Sequence, residues 1–200
     1  MICIIDYDLG NLRSIQKAFE AINQKVIISK KEQDIKNASK LLLPGVGSFK
    51  KGMDNLKNLH LDELLKEEII IKKKPILGIC LGMQLFCKLG FEGGECEGLG
   101  FVDTQVLQFN LKNEKKLHSG WDNIYYKNAS EIFKNIKENS DFYFVHSYYV
   151  KCNENTQTSM CDYEISFCSS FEKENIYAVQ FHPEKSQSVG LKLLENFAKL

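Results

Sequence analysis

Two short segments hold the residue types that could do nucleophilic chemistry. In Pro75-Ile-Leu-Gly-Ile-Cys80-Leu-Gly-Met-Gln84 a cysteine stands in Gly-x-Cys-x-Gly. Small residues on both sides permit a sharp strand-to-helix turn that lifts the thiol clear of the backbone, the geometry of a nucleophile elbow. A thiolate at the start of a helix is also favoured by free N–H groups and the helix dipole. The competing reading is a buried filler cysteine. A thiol nucleophile needs a base, and the base needs a partner to orient it. Of the four histidines, His60 falls in a polar helical stretch, His118 in a loop before Gly120, and His146 in an aromatic-rich strand where a satisfied core histidine is commoner. His182 ends the apolar run Tyr177-Ala-Val-Gln-Phe-His182, and the ends of parallel strands are where active-site residues collect. Glu184 follows two residues later, close enough to accept from the imidazole and hold its tautomer.

Elements that would position these residues can be read from the hydrophobic period. The first half alternates short β-branched runs with helical patterns, the signature of an α/β protein whose parallel sheet is flanked by helices. Ile2 to Ile5, Lys25 to Ser29, Lys40 to Leu43 and Pro75 to Ile79 read as strands. Leu12, Ile15, Phe19 and Ile22 recur at helical spacing behind a capping Asn11. Lys51 to Lys73 reads as a long amphipathic helix with a break near His60, and Gly82 to Leu89 as a short one. After the glycine-rich stretch Gly90 to Gly100 the period becomes alternating at Phe101 to Phe109, Trp121 to Tyr126, Phe142 to Val150 and Glu164 to Phe171, so antiparallel strands are expected in the second half. Ile176 to Phe181 returns to the core, and a helix carrying Val189, Leu193, Leu194 and Phe197 closes the chain. Two hundred residues without a linker or repeat are read as one domain, 1–200.

Composition narrows the function classes. Lys plus Arg (26) equals Asp plus Glu (26), so no net field draws the chain to nucleic acid or anionic lipid, and small-molecule chemistry is favoured. The clusters Lys72 to Lys74 and Lys112 to Lys116 read as solvated surface. No apolar run approaches the roughly 18 residues needed to span a bilayer, and the N-terminus lacks the pattern of a signal peptide, so the expected location is the cytoplasm. Seven cysteines, odd in number and without a C-x-x-C pair, argue against a disulfide framework or a zinc site. No metal or other cofactor is expected.

The two chemical segments together resemble the class I, triad-type glutamine amidotransferases. Gly-x-Cys-x-Gly-x-Gln is matched by Gly78 to Gln84, and His-Pro-Glu by His182 to Glu184. Asp6-Tyr7-Asp-Leu-Gly-Asn11, Leu43-Pro-Gly-Val-Gly47, Gly120-Trp121, His146-Ser-Tyr148 and Phe181-His-Pro-Glu-Lys-Ser186 are similar to one subfamily, the glutaminase subunits of imidazole glycerol phosphate synthases. The resemblance implies a flavodoxin-like fold and a Cys80, His182, Glu184 triad that frees ammonia from glutamine through a γ-glutamyl thioester. It assigns Gly45, Gly47 and Leu81 to the oxyanion site, and Gln84, Ser147 and Tyr148 to holding glutamine. It further implies a separate (β/α)8-barrel cyclase subunit docked over the site, with Asn11, Trp121, Tyr148 and Lys185 at the contact. The segment Leu117-His-Ser-Gly-Trp-Asp122 departs from the subfamily's Pro-His-x-Gly-Trp-Asn at its first and last positions, which puts the partner surface in doubt. A paralogue feeding ammonia to another acceptor, such as a sugar to be amidinated, would look the same. Other readings are a stand-alone γ-glutamyl thiol hydrolase and a silent scaffold, which Gln84 and the intact triad oppose.

Overall fold

The computed structural model describes residues 1–110, 117–152 and 155–200, so the basic run at 112–116 lies outside the described residues. The first half contains β1 (Ile2–Ile5), α1 (Leu12–Ala21), β2 (Val26–Ser29), α2 (Glu32–Asn37), β3 (Lys40–Gly45), α3 (Phe49–Asn58), α4 (Leu61–Lys66), β4 (Ile76–Cys80) and α5 (Leu81–Leu85). The strands β5 (Cys87–Gly90), β6 (Cys96–Glu97), β7 (Val102–Gln108), β8 (His118–Asn123) and β9 (Tyr125–Tyr126) follow. The chain ends with β10 (Asp141–His146), β11 (Tyr148–Lys151), β12 (Gln157–Tyr163), β13 (Ile165–Lys173), β14 (Ile176–Val179) and α6 (Gln187–Lys199).

The main sheet has the order β2-β1-β3-β4-β14-β13-β12-β9. Its first five strands are parallel, and the last three run antiparallel to their neighbours. The expected mixture of parallel and antiparallel pairing is therefore present, and β4, which carries Cys80, lies inside the parallel part. Alternate residues of β1 feed two cores. Ile2 and Ile4 pack with Phe19 of α1 and Leu193 and Phe197 of α6, while Cys3 and Ile5 pack with Met53 and Leu56 of α3 and Leu65 of α4. Burial on both faces explains why these strands read as unbroken apolar runs. Among the described residues, no helix is long and apolar enough to cross a membrane.

Several elements differ from the sequence reading. The helix expected over 51–73 breaks at His60 as read, a left-handed (φ 54°) and exposed residue; what differs is the π-helical turn Glu67–Ile71 that follows α4. The helix expected over 82–89 stops at Leu85, because Cys87–Gly90 is drawn into a four-stranded sheet of order β11-β7-β5-β6. The run Phe142 to Val150 is divided at Ser147: β10 pairs with β8, whereas β11 pairs with β7. His118 lies buried in β8 rather than in a loop. Of the lysines read as solvated, Lys74 is largely buried against the Glu68 carboxylate, which also meets Lys72. Cys152, just past β11, is bonded to Cys168 of β13, with Cα atoms 5.9 Å apart. It is a single bond, not a framework, and it follows from packing β11 beside β13, which cysteine spacing cannot express.

Candidate active site

Gly78 and Gly82 shape the turn that presents Cys80. A Cβ on Gly82 would overlap the Leu43 carbonyl oxygen, and one on Gly78 would press into the Phe86 ring and the Gly82 backbone. Strand β4 can thus turn into α5 directly against β3, and Cys80 sits at the junction with φ 54° and ψ −108°, a strained conformation for an L-residue. Gly45 is the register partner of Cys80 on β3, and a Cβ there would collide with the Tyr7 hydroxyl and Leu81. Gly47 lies beyond it with φ 104°, open to glycine and hostile to other residues. Leu81 opens α5, so its N–H has no partner within the helix.

His182 arrives from the neighbouring strand. The turn after β14 is fastened to β10 by three bonds: His182 N–H donates to the Tyr143 carbonyl (2.8 Å), Tyr143 N–H donates to Ser186 Oγ (3.0 Å), and Ser186 Oγ–H donates to the His182 carbonyl (2.6 Å). His182 Nδ1 meets Glu184 Oε1 at 2.8 Å, both side chains almost fully buried. Its Nε2 lacks a completed hydrogen bond, yet the ring is close enough to Cys80 to feel its charge. Burial alone would depress the imidazole, but the Cys80 thiolate and then Glu184 outweigh it and raise the pKa to about 10. Burial pushes Cys3 up to about 11 and Cys161 up to about 12, which keeps them protonated and inert.

A cavity of about 450 Å³ opens over the sulfur. Gly47, Leu81, Gln84, Ser147 and Tyr148 line it, together with Glu92, which the sequence reading did not select. Glu92 Oε2 accepts from the Phe49 N–H at the start of α3 (2.7 Å). Gln84 bends its amide nitrogen to the Tyr148 carbonyl (2.9 Å) and to Gln180 Oε1 (3.1 Å), so only its own oxygen is left for a substrate. Gln180 Nε2 in turn lies 3.7 Å from Cys80 Sγ, and the Val145 carbonyl lies 3.9 Å from it. The sequence reading passed over Gln180, although it stands two residues before His182 and an amide that ends an apolar strand is an available signal. His146, read as a core histidine, is buried, and burial holds its pKa down at about 3.

Trp121 packs edge-on against Tyr143 (5.9 Å), and Lys185 Nζ lies 5.4 Å over the same ring. Asn11 Oδ1 caps α1 by accepting from Ser14 N–H (3.4 Å). Asp122, one of the departing positions, binds His118 Nε2 at 2.7 Å. His118, Asp122 and Cys161 bring three donor atoms within 4.8 Å of one another, a group that could accept a cation.

Comparison with known proteins decides the family. The description "Glutamine amidotransferase class-I" matches residues 3–200. The chain belongs to the class I glutamine amidotransferases. It is 52% identical over 201 residues to "Imidazole glycerol phosphate synthase subunit HisH 1" of Campylobacter jejuni subsp. jejuni, covering 100% of both chains. To the HisH 2 subunit of Methanococcus maripaludis it is 46% identical, covering 100% of this chain and 99% of that one. Among solved structures, a glutamine amidotransferase from Thermotoga maritima superposes with a TM-score of 0.63 at 18% identity, over 99% of this chain and 82% of the other. That likeness places the fold of this amidotransferase within its class, and the HisH likeness places its sequence in the HisH family.

Proposed function

We propose that this amidotransferase hydrolyses glutamine with Cys80 as nucleophile, His182 as proton carrier and Glu184 as the group that orients it. The single observation behind this is the meeting, at the ends of adjacent parallel strands, of a strained thiol and a buried imidazole–carboxylate pair. Cys80 attacks the side-chain amide carbon of glutamine. The oxygen that becomes negative is met by the N–H groups of Gly47 and Leu81, where one such donor is worth about 3 kcal/mol of barrier. His182 gives its proton to the departing ammonia, then takes one from water, which opens the γ-glutamyl thioester to glutamate and returns the thiolate. Glu92 pairs with the substrate's α-ammonium, the one cation glutamine carries, and Ser147 and Tyr148 hold its backbone end. All of 1–200 serves this one unit, and no metal or cofactor enters the chemistry.

The chain is the glutaminase subunit of an imidazole glycerol phosphate synthase, acting in histidine biosynthesis; its full-length likeness to HisH subunits supports this. Ammonia released into water becomes mostly ammonium, so the site works against a synthase that takes ammonia directly. We assign that role to a (β/α)8-barrel cyclase forming a heterodimer over the cavity, in the cytoplasm. Val46 and Leu117 at the cavity mouth, 40% and 39% exposed, and Trp121 at 46%, offer an apolar rim for it. We assign Lys185 and Asn11 to the same contact. Glutamate release should be measured for the chain alone, then with the cyclase and its nucleotide substrate. Strong stimulation is expected. Activity indifferent to the cyclase would keep the glutaminase and move its acceptor to another pathway, and cleavage of γ-glutamyl peptides in preference to glutamine would overturn both.

A further inference from the structure

Gln180 stands under the reacting sulfur without belonging to the triad. Which end of its amide faces Cys80 is settled by its neighbours, starting from a group with only one possible role. The Tyr148 carbonyl can only accept, so Gln84, at 2.9 Å, must turn its NH₂ toward it. The second hydrogen of that nitrogen goes to Gln180 at 3.1 Å, which engages the Gln180 oxygen. The Gln180 nitrogen is then the atom left to face Sγ at 3.7 Å. The same carbonyl sets the polarity on its other side. His146 Nδ1, at 2.8 Å, must be the protonated nitrogen, so its Nε2 accepts from His118 Nδ1–H at 3.1 Å, and His118 Nε2 meets Asp122 at 2.7 Å. A chain of polar groups thus runs from the partly exposed Asp122 to the sulfur.

We infer that Gln180 is a further catalytic residue of this site: a neutral N–H donor that holds the Cys80 sulfur as a thiolate, kept in that orientation by Gln84 and the Tyr148 carbonyl. The inference rests on Cys80 being the nucleophile. Among the described residues, four groups touch the sulfur or lie close enough to feel its charge. His182 comes from the turn after β14 and Tyr7 from the segment after β1, the Val145 carbonyl from β10 and Gln180 from the end of β14. Val145 can accept only from S–H and therefore favours the thiol; Gln180 donates and favours the anion. Gln180 also supplies what His182 cannot. When the thioester opens, the thiolate leaves while His182 is occupied with the attacking water, and a neutral amide keeps its donor throughout.

The test is the rate of iodoacetamide attack on Cys80 across pH, read by peptide mass in the full chain for wild type, Q180A, Q180E and Q84L. Thermal unfolding of each variant establishes that it folds. In Q180A and Q180E the midpoint for alkylation should rise by about one pH unit, a tenfold loss of thiolate at a fixed pH below it. Q84L should shift it in the same direction by less, because Gln180 is then free to turn. The double variant Q84L/Q180A should move no further than Q180A alone. Folded Q180A and Q180E with the wild-type midpoint would overturn the inference; if neither folds, an unmoved midpoint in Q84L does so. Failure of the glutaminase reading looks different: wild type would release no glutamate while the midpoint shift in Q180A persisted.

Discussion

The two flanks of the site are built on different principles. On the β3–β4 side the requirements are steric: Gly78 and Gly82 bracket Cys80 within five residues, and a side chain at either would meet the Leu43 carbonyl of β3 or the Phe86 ring. On the β10–β14 side the groups come from far apart in the chain. Ser186 holds Tyr143, Gln84 holds Gln180 across 96 residues, and His146 holds His118 across 28. Steric necessity makes the first flank; satisfied polar groups make the second. The first should fail by losing its backbone path, and the second by leaving donors and acceptors unpaired.

The largest effects should come where the flanks meet. C80A and H182A are each expected to lower glutamate release by about 10⁴-fold or more, with C80A/H182A no worse than either alone, since the two act as one unit. Steady-state assays with matched circular dichroism check this, and independent, additive losses would break the picture of a shared site. E184Q keeps the shape but gives up the charge on the orienting group, with an expected loss of roughly 10²-fold.

Separating the flanks requires one substitution on each. G82A forces a methyl into the Leu43 carbonyl, and backbone on both sides leaves little room to yield, so a loss of about 3 kcal/mol in denaturant unfolding is expected. S186A removes one hydroxyl that accepts from Tyr143 N–H and donates to the His182 carbonyl. It should cost about 1–2 kcal/mol and lower kcat while leaving KM nearly unchanged, because the imidazole loses its anchor rather than the pocket its shape. A Ser186 variant that altered KM alone would show that the turn serves binding and not the position of His182.

Legibility in the sequence follows the same division. Strands β1 to β4, the elbow and the His182–Glu184 pair can be read because their causes lie within a few residues: apolar runs, bracketing glycines and a carboxylate two positions from an imidazole. The early end of α5 could not, since the capture of Cys87–Gly90 by β7 is a tertiary choice that overrides helical pattern. Gln180 and Glu92 were passed over for a related reason. Each looks ordinary until another segment delivers Cys80 Sγ or the Phe49 N–H to it. Asp122, too, shows its use only in the fold, where its carboxylate meets the buried His118 Nε2 at 2.7 Å.

The smallest expected effect, a slope in stability with pH, tests whether the two flanks are electrically joined. His182 is raised from 6.5 to about 10 by the Cys80 thiolate on one flank and Glu184 on its own, against the opposing pull of burial. A raised imidazole binds its proton more tightly in the folded state than in the unfolded one. Its contribution to stability is therefore complete below pH 6.5 and drains away as pH rises toward 10. In C80A the upward pull from the sulfur is gone and burial remains, so the alkaline loss should end at lower pH and be smaller in total. Denaturant midpoints taken across that range for wild type and C80A measure the difference directly. Identical slopes would mean that His182 owes its proton to Glu184 alone, and that the thiol and imidazole are coupled only when substrate lies between them.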